Sequence, residues 1–88
     1  MTPDEQIAEV LRDFDFAKVA RAMDSLGWYW QDKRPPTPDE LRDSAKVKLQ
    51  YAAIPTSTGY LASGGLVARR DADGGLSLSF EVETAYAK

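Results

Sequence analysis

The tetrapeptide Thr-Pro-Asp-Glu occurs twice in this chain, at Thr2–Glu5 and at Thr37–Glu40, and each copy carries the signals of a helix start. The threonine hydroxyl can accept from the free N–H groups of a first turn, and proline is tolerated where no donor is needed. The glutamate can accept from the N–H of the cap residue, and both acids face the positive end of the helix dipole. The sequence therefore predicts helices that begin at Pro3 and at Pro38.

Apolar residues recur at helical spacing after both starts. The first helix is predicted over residues 3–12, and a second, capped by Asp15, over 16–26 with Gly27 past its end. A third is predicted over 38–53, where Pro55 ends it, with Lys46 and Lys48 facing water. Its apolar face is expected to be wide and to consist of Leu41, Ala45, Val47, Leu49, Tyr51, Ala52 and Ile54.

The last third of the chain has the alternation of a strand with one buried and one solvated face. Its apolar members are Leu76, Leu78, Phe80 and Val82. Tyr60–Arg70 is the predicted partner strand, joined to it through the glycine-containing turn of residues 71–75. Gly64 and Gly65 interrupt the alternation of that partner, so a β-bulge is expected there. The bulge would keep three residues on the core side, namely Leu61, Leu66 and Ala68.

A further short strand is indicated by Trp28–Gln31, which follows the predicted glycine stop and carries both tryptophans of the chain. An indole ring buries on the order of 150–250 Å², so at least one tryptophan is expected in the core. The element order then predicts an α+β fold, in which about three helices pack on one face of an antiparallel sheet of about three strands with a C-terminal β-hairpin. At this length, residues 1–88 form a single domain.

Histidine and cysteine are both absent from the chain. Zinc sites of the Cys/His type, disulfides, cysteine nucleophiles, serine–histidine triads and histidine acid–base catalysis are therefore excluded. Carboxylate pairs such as Asp13 with Asp15 stand where acids ordinarily occur, beside a helix cap or along a strand. No GxxxxGK[ST] phosphate loop is present. We expect a non-catalytic protein with no metal and no cofactor.

The charge of the chain is −3 overall and uneven along its length. Residues 1–15 carry five acids against Arg12 alone, whereas residues 16–54 are mildly basic. A net negative chain is a poor candidate for direct nucleic-acid binding, which depends on lysine and arginine. No apolar run approaches the roughly 20 residues that cross a bilayer. We therefore expect no membrane association and a cytoplasmic location.

Two sets of residues are candidates for binding. An acidic and aromatic surface for a protein partner is predicted at Asp13, Asp15, Tyr29, Trp30 and Asp32. The alternative is a phosphate or nucleotide site in hydroxyl-rich and glycine-rich loops with two arginines downstream, at Thr56, Ser57, Thr58, Ser63, Gly64, Gly65, Arg69 and Arg70. Each set also has a plain interpretation, since acids are commonly solvated, aromatics are commonly core, and such loops commonly bind nothing.

Four stretches, in this order, resemble a group of small uncharacterised proteins encoded by tailed phages and prophages. They are FDFAKVARAMDSLGWYW, PTPDELRDSAKVKL, YLASGGLVARR and LSLSFEVE, and the similarity covers residues 14–83. The resemblance implies a phage accessory protein that acts on host machinery or defences in the bacterial cytoplasm. It transfers no catalytic or binding residue.

Three functional hypotheses follow from size, charge and this resemblance. The first is an acidic inhibitor that binds a bacterial host or antiviral-defence protein, in the manner of an anti-CRISPR protein whose acidic surface occludes a nucleic-acid channel. The second is a sponge that sequesters a nucleotide signalling molecule of host immunity through the Ser/Thr/Gly loops. The third is a structural accessory protein that forms a homo-oligomer.

Overall fold

Three helices precede a three-stranded sheet in the computed structural model, which describes residues 2–27 and 34–81. The helices are α1 (Pro3–Asp13), α2 (Phe16–Ser25) and α3 (Pro38–Ala53). The strands are β1 (Tyr60–Ser63), β2 (Leu66–Arg70) and β3 (Leu76–Phe80). The predicted α+β fold, with helices on an antiparallel sheet and C-terminal strands, is confirmed.

The helix starts form as the sequence predicts. The hydroxyls of Thr2 and Thr37 accept from the N–H groups of Glu5 and Glu40, each at 3.2 Å, and both glutamates bond back to complete a capping box. Asp15 caps α2 by accepting from the N–H of Lys18 at 3.0 Å. These local bonds satisfy donors that no helical carbonyl reaches, so each helix begins at a position fixed by the sequence.

The sheet has the order β1-β2-β3, and both pairs are antiparallel. The predicted bulge at Gly64 and Gly65 is wrong, because these residues form a two-residue turn that separates β1 from β2. Their φ angles are 60° and 89°, and two consecutive positive φ values belong to a type I′ hairpin turn. The strand predicted at Trp28–Gln31 lies outside the described residues, so the three observed strands all come from the last third of the chain.

The core lies between the helices and one face of the sheet. It is centred on α3, whose line of small and branched residues packs over Leu66 and Ala68 of β2. Its buried members are Ile7, Leu11, Phe16, Val19, Met23, Leu41, Ala45, Leu49, Ala52, Leu66 and Ala68. Val67, which points to the opposite face, is also fully buried, so that face is not wholly open to solvent.

Two expectations for α3 are corrected. Lys48 is buried, with only 6% of its surface exposed, because it continues the i, i+4, i+7 line of Leu41 and Ala45 into the core. Val47, Tyr51 and Ile54 lie on an adjoining face and are 62%, 37% and 47% exposed. The buried face of α3 is therefore narrower than the sequence indicates.

The start of α3 carries an additional ion pair. Arg34 donates from Nη1 to Oε1 of Glu40 at 2.6 Å and from Nη2 to Oε2 at 2.9 Å. The N–H of Thr37 also donates to Oε1, at 2.9 Å. The hydrogen bonds from Arg34 have the largest effect and those from Thr37 add to it. Together they favour the ionised carboxylate and lower the pKa of Glu40 to about 2.

We predict that Glu40 contributes to stability in an acid-sensitive way. Because its folded pKa of about 2 lies below the unfolded value, its contribution is complete above the unfolded pKa and is lost as pH falls towards 2. Glu40→Gln should therefore be less stable than wild type at pH near 7, and the difference should shrink below the unfolded pKa of about 4.3. Urea denaturation followed by circular dichroism at a series of pH values measures this.

The matched control is Glu5→Gln, which alters the α1 capping box, where the glutamate bonds Thr2 and, within the described part of the chain, no arginine. This variant should lose less stability at neutral pH. A gap between Glu40→Gln and wild type that stays constant down to acid pH would contradict the prediction.

Candidate functional site

An open groove of about 630 Å³ lies between α1 and β3. One wall is formed by a face of α1, and the other by the start of β3, with the α1–α2 junction at one end. The lining residues are Gln6, Glu9, Val10, Asp13, Phe14, Asp15, Gly75, Leu76, Ser77 and Leu78. The groove is therefore built by elements that are distant in sequence and adjacent in space.

Carboxylates dominate the charge of the groove. Glu9 and Asp13 stand one turn apart on α1, and Asp15 follows at the junction. Arg12 lies near two of them, with Nε 3.1 Å from Oδ1 of Asp13 and Nη2 3.7 Å from Oε1 of Glu9. The bond to Asp13 raises the pKa of Arg12. Among the described residues, three carboxylates against one guanidinium give the groove a negative charge.

Apolar side chains form the floor of the groove. Val10, Phe14, Leu76 and Leu78 are partly buried and pack against the core. The ring of Phe14 meets that of Phe16 edge to face, with centroids 4.9 Å apart, which fixes the junction between α1 and α2. An apolar floor with acidic walls suits a segment that offers both apolar and positively charged groups.

The residues predicted for partner binding are brought together only in part. Asp13 and Asp15 both line the groove. Tyr29, Trp30 and Asp32 lie outside the described residues. Sequence reasoning missed Glu9, although its i, i+4 spacing from Asp13 places both on one helix face. It also missed Val10, Phe14, Leu76 and Leu78, since nothing local shows that β3 lies beside α1.

The residues predicted for phosphate binding do not converge. Arg69 and Arg70 are adjacent in β2, so they point to opposite faces of the sheet. Ser63 ends β1 and is followed by the turn of Gly64 and Gly65, whereas Thr56, Ser57 and Thr58 precede the start of β1. β1 runs between the two groups, and its four residues, which end at Ser63, span roughly 13 Å at the usual strand rise.

The polar groups of this set are also engaged within the fold. Arg70 Nη1 donates to the carbonyl oxygens of Ala52 at 2.9 Å and of Ile54, and Nη2 donates to that of Ser57 at 3.3 Å. These carbonyls belong to the end of α3 and the loop after it, so Arg70 satisfies acceptors that no helical N–H reaches.

The other polar members of this set also bond within the fold. Arg69 donates to Oε2 of Glu81 at 2.7 Å and stands 5.3 Å from the ring centroid of Tyr60. The hydroxyl of Ser57 donates to the carbonyl of Ile54 at 2.8 Å, and that of Thr58 to the carbonyl of Tyr60 at 3.1 Å. These are loop and sheet contacts, and none is directed at a common point.

Lys48 and Ser44 form a second polar pair. The ammonium Nζ lies 2.5 Å from Oγ of Ser44, one helical turn away, and burial lowers the pKa of Lys48. Neither residue lines the groove. The hydroxyl acts as the hydrogen-bond partner that a buried ammonium requires.

Comparison with protein-family models, with curated proteins and with solved structures finds no match for the chain. Across residues 2–27 and 34–81, no helix is long and apolar enough to span a bilayer. The same part of the chain holds no group of three or more carboxylates placed to bind a metal ion.

We predict that Arg70 has a structural role. Arg70→Met keeps an unbranched apolar stem but removes the bonds to the carbonyls at the end of α3 and in the loop after it. It should cost about 2 kcal/mol of unfolding free energy because hydrogen bonds from a charged donor are lost. Arg69→Met is the matched control, since its ion pair with Glu81 is exposed and contributes less. Urea denaturation of both variants measures the difference, and an unchanged midpoint for Arg70→Met would contradict it.

Proposed function

We propose that this chain is a non-catalytic binding protein that inhibits a partner protein by engaging it through the groove between α1 and β3. One observation carries the proposal: Glu9, Asp13 and Asp15 surround an apolar floor in a single open groove. Such a surface favours a partner segment that is both basic and partly apolar. The roles of its residues are to bind and to orient, and no bond is made or broken.

The negative charge of the chain supports a partner with a basic surface. Its net charge is −3, and the excess of acids lies in residues 1–15, which include α1. Lysines and arginines that bind nucleic-acid phosphates bind carboxylates by the same electrostatics. A partner with a basic nucleic-acid channel is therefore the expected target, and occupying that channel would inhibit it.

The biological setting that we propose comes from the resemblance to tailed-phage and prophage accessory proteins. The partner would be a bacterial host protein or a component of an antiviral defence system such as CRISPR, and the protein would act in the cytoplasm of the bacterial host cell. The nucleotide-sponge hypothesis receives no comparable support, because the arginines it requires bond to Glu81 and to backbone carbonyls.

The matched test compares two triple variants that remove the same charge. Glu9→Gln/Asp13→Asn/Asp15→Asn neutralises the groove, and asparagine at position 15 still caps α2. Asp24→Asn/Asp39→Asn/Asp43→Asn neutralises three exposed acids that do not line it. Each form is used to capture proteins from a bacterial lysate, and the affinity of the captured protein is then measured in purified form.

The groove variant should bind the captured protein at least about tenfold more weakly than wild type, whereas the control variant should bind it as wild type does. Wild type should also displace nucleic acid from that protein, and its binding should weaken with added salt. Equal binding by both variants, or binding without displacement of nucleic acid, would contradict the proposal.

A second candidate is self-association, which the exposed apolar side chains of Val47 and Tyr51 on α3, and of Ile54 directly after it, favour. If these side chains form an interface between copies, the wild type should be a defined multimer by light scattering. Val47→Lys should then convert it to a monomer, with Arg42→Lys, also exposed on α3, as the conservative control. A wild type that is monomeric at high concentration would eliminate this candidate.

A further inference from the structure

β3 is the last strand in the order β1-β2-β3, so one of its edges faces away from β2. The N–H of Asp71 donates to the carbonyl of Gly75, and that of Glu81 to the carbonyl of Gly65. The hydrogen-bonded pairs Asp71–Gly75 and Gly65–Glu81 are therefore in register with the pairs Arg69–Ser77 and Val67–Ser79, which lie between them at every second position. Since hydrogen-bonded and non-hydrogen-bonded pairs alternate, Ser77 and Ser79 direct their backbone groups to β2.

The backbone N–H and C=O groups of Leu76 and Leu78 consequently point away from β2, at the outer edge of β3, and no residue within 2–27 or 34–81 bonds to them. Both residues line the groove between α1 and β3. The opposite edge of the sheet, on β1, differs because the hydroxyl of Thr58 already bonds to the carbonyl of Tyr60. Within the described part of the chain, the edge on β3 is therefore the one that combines unbonded peptide groups, at Leu76 and Leu78, with an adjacent groove.

We propose that an extended basic segment of a partner protein adds to β3 as a fourth, antiparallel strand and fills the groove. This inference rests on the proposed function and specifies how the groove binds. A free strand edge is satisfied by another extended chain, which gains main-chain hydrogen bonds together with side-chain contacts. An antiparallel direction continues the pattern of the sheet.

The geometry also selects the side chains of the added strand. Directly opposed residues of antiparallel strands share one face, so residues opposite Leu76 and Leu78 lie on the helix side of the sheet. Long basic side chains there can lay their methylene stems over Val10 and Phe14 and place their charged ends near Glu9 and Asp13. Arginine or lysine at every second position is thus expected, with spacing of roughly 6.8 Å.

A capped seven-residue peptide of alternating arginine and threonine is the probe, and hydrogen exchange followed by NMR is the measurement. In the free protein the amides of Ser77 and Ser79 should exchange slowly and those of Leu76 and Leu78 rapidly. Added peptide should slow Leu76 and Leu78 specifically. Binding that leaves these two amides unchanged, or no binding at about 1 mM peptide, overturns strand addition.

Two N-methylated peptides separate strand addition from simple charge attraction. Because the arginines oppose Leu76 and Leu78, their N–H groups point at β3, and methylating them should abolish binding. Methylating the threonines leaves that edge intact, so binding should persist. The two peptides have the same charge, and equal affinities would overturn the proposal.

A variant pair tests the same bond from the protein side. Leu78→Pro removes an N–H that faces away from β2 and bonds none of the described strands. Proline is tolerated at such an edge position, so the variant is compatible with the fold. Leu78→Ala is the control, since it loses the side chain but keeps the N–H. Peptide affinity should fall at least about fivefold further in the proline variant than in the alanine variant. If the proline variant does not fold, the methylated peptides decide.

The outcomes also separate this inference from the proposed function. If the groove variant loses the captured partner while the arginine–threonine peptide leaves the Leu76 and Leu78 amides unchanged, the groove binds a partner by another mode and strand addition is wrong. If the peptide protects these amides but neutralising Glu9, Asp13 and Asp15 leaves partner capture intact, strand addition stands and the proposed function fails.

Discussion

The packing of α3 on β2 is the contact on which the rest of the structure depends. Each of the other described elements touches α3, and its side chains at Leu41, Ala45 and Leu49 have no exposed surface. The small side chains of Ala45 and Ala52 let the helix axis lie close to the sheet. Because α1 packs on α3 and on β3, the width of the groove is set by where α3 rests on the strands. The shape of the candidate site is thus determined by the same packing contacts that form the core.

Arg70 links this core to the loop that follows it. The guanidinium belongs to β2 but bonds to carbonyls at the end of α3 and beyond. These bonds therefore fix the position of the end of α3 relative to β2. They also fix the path of the loop that leads from α3 into β1. A residue that the sequence marks as a candidate anion ligand is used to terminate a helix. Because successive side chains of a strand point to opposite faces of the sheet, two adjacent arginines are not expected to bind one ligand together.

Local signals predicted the helices well, and tertiary contacts account for what they missed. The capping boxes at Thr2 and Thr37 and the apolar spacing are short-range, so they can be read from a few residues. The burial of Lys48 could have been predicted from its spacing, but its charge argued the other way. A pair of glycines such as Gly64 and Gly65 permits either a bulge or a two-residue turn, so the sequence alone does not distinguish the two conformations. The groove depends on α1 and β3 meeting, which no local pattern encodes.

The edge of β3 at Leu76 and Leu78, which no other described strand covers, has a further consequence for the behaviour of the chain in concentrated solution. An uncovered strand is also a template for a second copy of itself, and proteins commonly prevent this with charge. Here Glu9 and Asp13 stand beside that edge, so two copies approaching edge to edge would bring like charges together. The carboxylates that attract a basic chain therefore also keep identical molecules apart, and screening by salt weakens both effects at once.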